Sequence, residues 1–305
     1  MKTSAMSFVK KLNRSKYLLL MVLPAMIYFI LFNYKPMYGV LISFKDFSPY
    51  LGFEKSPWVG FKYFEMFFSY PDAWRLIKNT FLIAFYTIVW GFPAPIIFAL
   101  IVNEVKNIKG KKLIQTISYM PHFISMVVVS SMIIMFLSPS TGAVNNLIAS
   151  LGLEKINFMS DSNWFRTVYV SSEVWQNLGW GAIIYLAALA NIDAQLYESS
   201  AIDGATRFKQ ILYITIPCLA PTIVIMLLLK TGQIMSVGFE KVYLLQNPVT
   251  YEVSDVIQTF VYRQGLKLGN MSYATAIGLF NSVINVIFLI SSNFVAKRMN
   301  ETSLW

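Results

Sequence analysis

Six long apolar runs, at about 17–34, 76–102, 113–137, 167–190, 217–237 and 273–295, constrain this chain more than any other feature. At about 1.5 Å per residue, each is long enough to cross a hydrocarbon core of about 30 Å as a helix. Lipid offers no hydrogen bonds to an open backbone, so such spans are helical unless they close into a barrel. Only 13% of the 305 residues are charged, against about 25% in soluble domains. The expected fold is an all-α membrane protein with six transmembrane helices. No polar stretch is long enough for a separate soluble domain. The organisation is a cytosolic tail at 1–16, a six-helix transmembrane domain at 17–298 that includes a cytosolic loop at 191–216, and a second cytosolic tail at 299–305.

Charge placement sets the orientation. With the N-terminus in the cytosol, the inner pieces hold 13 Lys/Arg and 5 Asp/Glu, and the outer pieces 11 and 10, with Lys230 inside a span. That asymmetry follows the positive-inside rule and predicts both termini inside. It also accounts for the net charge of +10 without nucleic acid. The basic N-terminus is followed by an apolar run too long for a signal peptide, with no small-residue cleavage site after it. One cysteine, Cys218, and one histidine, His122, exclude disulfides within the chain and cysteine- or histidine-cluster chemistry; His122, after Pro121, reads as structural.

Two spans carry helix-disturbing residues. Lys35-Pro36 interrupts the first, which reads as a kinked helix or as a helix followed by an interfacial segment. Gly91-Phe92-Pro93-Ala94-Pro95 predicts a kink in the second, serving gating or simply tolerated by its neighbours. The outer loops, about 45–75, 138–166 and 238–272, are rich in aromatics such as Trp58, Phe61, Tyr63, Phe67 and Trp74. These fit an interfacial belt or a docking surface for an external partner.

The loop 194–216 is polar yet patterned, and reads as two short helices. Glu198, Ala201 and Ala205 recur at helical spacing and share a face. Ser199, Ser200, Ala201 and Ala205 are small enough for a partner to approach closely. Asp203-Gly204 supplies a turn in which glycine can take a positive φ. Arg207 and Lys209 face the cytosol, and Pro217 opens the fifth span, where its missing N–H costs nothing.

This loop resembles the EAA loop of the permease subunits of ABC importers. Glu198, the paired small residues, Asp203-Gly204-Ala205 and Ile214-x-Ile216-Pro217 stand at that family's spacing. Serines replace its alanines at 199 and 200, and Ile216 replaces a leucine. Pro57-Trp58-Val59-Gly60-Phe61, Gln115–Ser125 and Ser272-Tyr273-Ala274-Thr275-Ala276 are similar to the oligosaccharide and polysaccharide subgroup of type I importers. The resemblance implies a coupling helix over Glu198–Arg207 that enters an ATPase groove. It also implies a second homologous permease, two ATP-binding subunits and an extracellular solute-binding lipoprotein. The setting would be the bacterial plasma membrane and its lipid. The chain contains no G-x-x-x-x-G-K-[ST] loop. No cofactor is therefore expected in it, with ATP and Mg held by the partner ATPase, and it is not expected to be an enzyme.

Sugar sites combine aromatic platforms with polar side chains. Trp175, Gln176, Asn177, Trp180 and Tyr185 on the fourth span have that composition, with interface anchoring as the alternative for the tryptophans. Gln233 on the fifth span and Asn281 and Asn285, four apart on the sixth, are further candidates; interhelical hydrogen bonding explains the asparagines equally well. Lys230 is expected near the bilayer midplane, where an ammonium must face a wet path or a structural partner. The function expected is the permease subunit of a binding-protein-dependent importer of oligosaccharides, such as complex glycan or polysaccharide fragments. The alternatives are a self-sufficient secondary sugar transporter, which the lack of acids near the midplane disfavours, and a membrane enzyme, which lacks clustered reactive groups.

Overall fold

The structure is a computed structural model and describes residues 16–300, the last two by backbone alone. Most of the N-terminal tail and the end of the C-terminal tail, both expected in the cytosol, lie outside the described residues. No strand occurs among the described residues; one isolated bridge joins Lys45 and Trp58.

Four helices are long and apolar enough to cross a membrane, or five when a bent pair is taken as one span. The first, α1 (Lys16–Phe44), runs through Lys35-Pro36 without breaking. A wider turn at Ile30–Tyr34 precedes the proline and a tighter one at Tyr38–Phe44 follows it, so the ring and the missing N–H are accommodated within a continuous helix. The second, α2 (Ala73–Asn103), contains the expected proline segment, with Pro93 at the start of its second half.

The third span departs from the expected straight helix. It consists of α3 (Ile108–Phe123) and α4 (Met126–Phe136), bent by 100°. The break is local chemistry. Pro121 sits in the tight turn Met120–Phe123, Ile124 is extended, and the Ser125 hydroxyl caps α4 by accepting from the Val128 N–H at 3.4 Å. The next long helix, α5 (Ser162–Ala190), begins five residues before the expected span, where the Asp161 carboxylate accepts from the Asn163 N–H at 2.9 Å. Its 29 residues are long enough to cross a bilayer, but its polar content keeps it out of the apolar set.

The loop helix α6 (Ala194–Ile202) is followed by α7 (Arg207–Thr231). The second short helix expected in the loop is thus the first turn of the membrane helix, and Pro217 lies inside α7 rather than at its start. A wide turn at Ile211–Thr215 absorbs that proline as the one in α1 is absorbed. At its far end α7 stops at Thr231, six residues short of the expected 237, and the chain turns before α8 (Phe239–Leu245). Here the Asn285 side chain accepts from the Met235 N–H at 2.8 Å and donates to the Ser236 hydroxyl at 3.0 Å, satisfying backbone that has left the helix. The chain ends with α9 (Ile257–Tyr262) and α10 (Met271–Asn300).

The helix α5 organises the bundle, packing against both halves of α2, and against α3 and α7. Two apolar cores form around it. One gathers Phe67, Leu76, Ile83, Tyr169, Met235, Phe260 and Ile277; the other holds Ala99, Ala182, Tyr185, Leu189 and Leu219. Gly179 is buried against the backbone of Ser118, and any Cβ there would collide with the Ser118 carbonyl.

Candidate coupling loop and transport path

Asp193 starts α6 by accepting from the Gln195 N–H at 3.0 Å. The helix ends at Ile202, and Gly204 takes φ +74°, which lets the Ala205 N–H reach the Ser200 carbonyl at 2.9 Å. Thr206 then caps the start of α7. The two arms are held together from below by Gln210, which is buried and donates to the Tyr197 carbonyl at 3.2 Å and the Ser200 hydroxyl at 2.9 Å. Tyr197 and Thr215 add a hydroxyl pair at 2.9 Å.

On the exposed side, Tyr197, Glu198, Ala201, Ala205, Arg207 and Gln210 line one concavity. Ala205 lies beyond the end of α6, so it joins this face through the glycine turn and not through helical spacing. Arg207 donates to the Gln210 side chain at 3.5 Å. Among the described residues Glu198 forms no ion pair, and Ser199, Asp203 and Gly204 are exposed. Ile202 and Phe208 stand out on the same loop at 88% and 74% exposure.

The candidates on α5 separate into four places. Trp175 lines an apolar hollow against α4. Tyr185 is in the core, 3% exposed. Asn177 and Trp180 meet His122 of α3, whose ring stacks on the Trp180 indole at 4.6 Å. Gln176 is buried at the break in α3–α4, where its amide nitrogen reaches the Ile124 carbonyl at 3.5 Å while its oxygen has no partner.

A chain of polar contacts crosses the bundle from this point. His122 Nδ1 lies 3.0 Å from Asn177 Oδ1, Asn177 Nδ2 donates to Glu173 Oε1 at 2.7 Å, and Lys241 Nζ is 3.0 Å from Glu173 Oε2. Lys241 is only 1% exposed and also lies over the Tyr169 ring. Sequence reasoning missed this pair, having counted both residues on the outer side. Nothing in their local sequence marks it, because α8 returns into the bundle from a segment that reads as an outer loop.

Lys230, Gln233, Glu173, Tyr169 and Ser236 line a cavity of about 190 Å³. Lys230 is exposed to it and forms no ion pair among the described residues. Gln233 lies on the turn after α7, not on the span itself. Asn285 is occupied with the same turn, as above. Asn281 is buried, its side-chain oxygen lacks a partner, and it lines a wide groove between α1, α9 and α10.

In the first outer loop Asp46 accepts from the Tyr63 hydroxyl at 2.6 Å, which holds its carboxyl below the ordinary range. Burial, and then this bond, push the Tyr63 hydroxyl up to about 12.

A helical bundle with membrane-length apolar helices, a polar cavity inside it and an ordered polar loop at one end is a membrane permease. The sequence profile of the family described as "Binding-protein-dependent transport system inner membrane component" matches residues 91–301. This chain belongs to that family. Protein LplB of Bacillus subtilis (strain 168) is 45% identical over 299 residues, covering 98% of this chain and 94% of LplB. The polygalacturonan/rhamnogalacturonan transport system permease protein YteP of the same organism is 43% identical, over 97% of this chain and 92% of YteP. A solved structure of a bacterial ABC transporter that imports the acidic polysaccharide alginate contains a chain 42% identical to this one. It superposes with a TM-score of 0.89 over 96% of this chain and 99% of that one. The same comparison with the alginate transporter bound to a pentasaccharide-loaded periplasmic protein gives 41% identity and a TM-score of 0.89. The chain is thus a permease subunit of an ABC importer, with the type I importer fold, in the bacterial plasma membrane.

Proposed function

We propose that this chain lines the path of an oligosaccharide importer together with a second, similar permease, and that two cytosolic ATP-binding subunits drive it. An extracellular solute-binding lipoprotein delivers the cargo, as a periplasmic protein does in the alginate transporter. Both termini then face the cytosol. ATP and Mg are held by the partner ATPases, and this chain contributes no covalent chemistry.

The observation that carries this reading is the loop 193–215. Gln210, Tyr197 and Thr215 fasten two helical arms into one unit, and that unit presents a concavity formed by Glu198, Ala201, Ala205 and Arg207. A preformed unit transmits a push without first losing chain entropy to order itself. In this reading Glu198 and Arg207 are charged contacts to the ATPase groove. Ser199, Ser200 and Ala201 permit close approach, and Asp203, Gly204 and Ala205 form the tip. Ile202 and Phe208 give it an apolar surface to bury. ATPase closure would draw two such loops together and switch the bundle between inward-open and outward-open states. The cavity around Lys230 and Gln233, with Trp180 and Asn177 behind it, is the sugar path.

ATP hydrolysis by the purified importer in lipid nanodiscs tests this. Loaded binding protein should stimulate it, and the response should disappear in Glu198→Lys. Sugar movement by this chain without any ATPase would replace the reading with a secondary transporter.

A further inference from the structure

The cavity beside Lys230 holds an unbalanced positive charge. Two of its lining groups are ionic, Lys230 and Glu173. Glu173 is already committed. One carboxylate oxygen takes the Asn177 amide at 2.7 Å, and the other pairs with Lys241 at 3.0 Å. Lys241 comes from α8 on the far side and is 1% exposed, so its charge is spent on Glu173. The remaining polar groups, Gln233, Ser236, Thr87 and Tyr169, carry no charge. Among the described residues Lys230 is left as an exposed cation on the cavity wall without an anion, so a negative group that enters the cavity meets its charge uncancelled.

The surroundings match a sugar acid. The cavity measures about 190 Å³, and a 150 Å³ cavity admits one benzene ring, so the space suits a single ring-sized unit. Gln233 brings an amide to the same wall, on a turn fixed by Asn285 and not by a flexible loop. We propose that the cargo carries a carboxylate on at least one sugar unit, and that Lys230 is the group in the path that receives it. This rests on the reading of the chain as an oligosaccharide permease and adds the chemical class of the cargo. A neutral sugar gains no attraction from the ammonium, so the path discriminates by charge. Because Lys241 already neutralises Glu173, the path does not repel the incoming anion.

The test is saturation-transfer NMR on the complete importer in nanodiscs, without binding protein, so that delivery does not filter the probes. The probes are trigalacturonate, its carboxyl-reduced neutral form, and 3′-sialyllactose. Wild type should show at least tenfold weaker transfer to the reduced form than to an acidic probe. Lys230→Met should abolish the acidic signal and Lys230→Arg should keep it. The two acidic probes separate a uronate source from a sialic acid source. The comparison of acidic with reduced probe uses wild type alone, and so stands even if Lys230→Met fails to assemble. Equal transfer to both, unchanged transfer in an assembled Lys230→Met, or no transfer to any probe would overturn the assignment. Stimulation of ATP hydrolysis by loaded binding protein, measured on the same nanodiscs, then decides whether the importer reading survives it.

Discussion

The imidazole of His122 lies flat on the indole of Trp180, 4.6 Å between centroids and 3° from parallel. Its Nδ1 also faces the Asn177 side-chain oxygen at 3.0 Å. Because the Asn177 amide nitrogen donates to Glu173, the oxygen is what remains for His122, and Nδ1 carries the proton. His122→Phe keeps a stacked ring and loses the hydrogen bond, and should cost about 1 kcal/mol. His122→Ala should cost about 0.5–1.5 kcal/mol more through loss of the ring pair. Thermal unfolding of the purified complex checks both, and equal values would mean that the stack contributes nothing.

Glu173→Gln leaves Lys241 charged and 1% exposed with no counter-ion. Breaking one side of such a pair costs about 3–5 kcal/mol. The double variant Glu173→Gln with Lys241→Met removes the stranded charge and should recover most of the loss. Yield of folded complex and denaturant midpoints report on both; a double variant no better than the single one would refute the pairing.

Glu198→Lys should abolish stimulated ATP hydrolysis while leaving the amount of folded permease unchanged, since Glu198 is exposed and unpaired among the described residues. Gln210→Ala acts differently. It removes the Gln210 bonds to the Tyr197 carbonyl and the Ser200 hydroxyl, which still bond to each other, at about 1 kcal/mol per bond lost, and loosens the loop. Transport should fall and the loop should exchange amide hydrogens faster. Normal uptake by Glu198→Lys would end its docking role.

The Asp46–Tyr63 bond gives the outer loop a dependence on pH at both extremes. The Asp46 pKa is lowered on folding, so its contribution is present above the ordinary carboxylate range and is lost as pH falls through the depressed value. The Tyr63 pKa is raised to about 12, so its contribution is complete below the ordinary phenol value and is lost as pH rises through about 12. Tyr63→Phe should flatten both limbs in a proteolysis assay of this loop; an unchanged acid limb would mean that another carboxylate controls it.

The apolar runs made the helices legible, because period and length decide them. The bend in α3–α4 was less so. Pro121 was read only as the residue before a structural His122, and the tight turn, extended Ile124 and Ser125 cap that together bend the span by 100° were not anticipated. Glu198 and Ala201 share a face of α6 by the helical spacing that was read, whereas Ala205 joins them through the turn at Gly204. Gln210, which fastens that loop, carries no pattern, since its partners are a carbonyl 13 residues away and a hydroxyl 10 residues away. Lys230 stood out for its depth alone. Lys241, whose pairing defines the charge around it, was invisible because it is brought in by tertiary contact from a segment that reads as outer loop.

Gly179 seats the Ser118 backbone so closely that α3 and this part of α5 leave no room to slide past one another. They behave as one lever arm. The close fit ends near Ile124, where helical hydrogen bonding stops and the chain turns through 100° before α4. That short extended link is where the pair locked at Gly179 gives way to a helix running in a new direction.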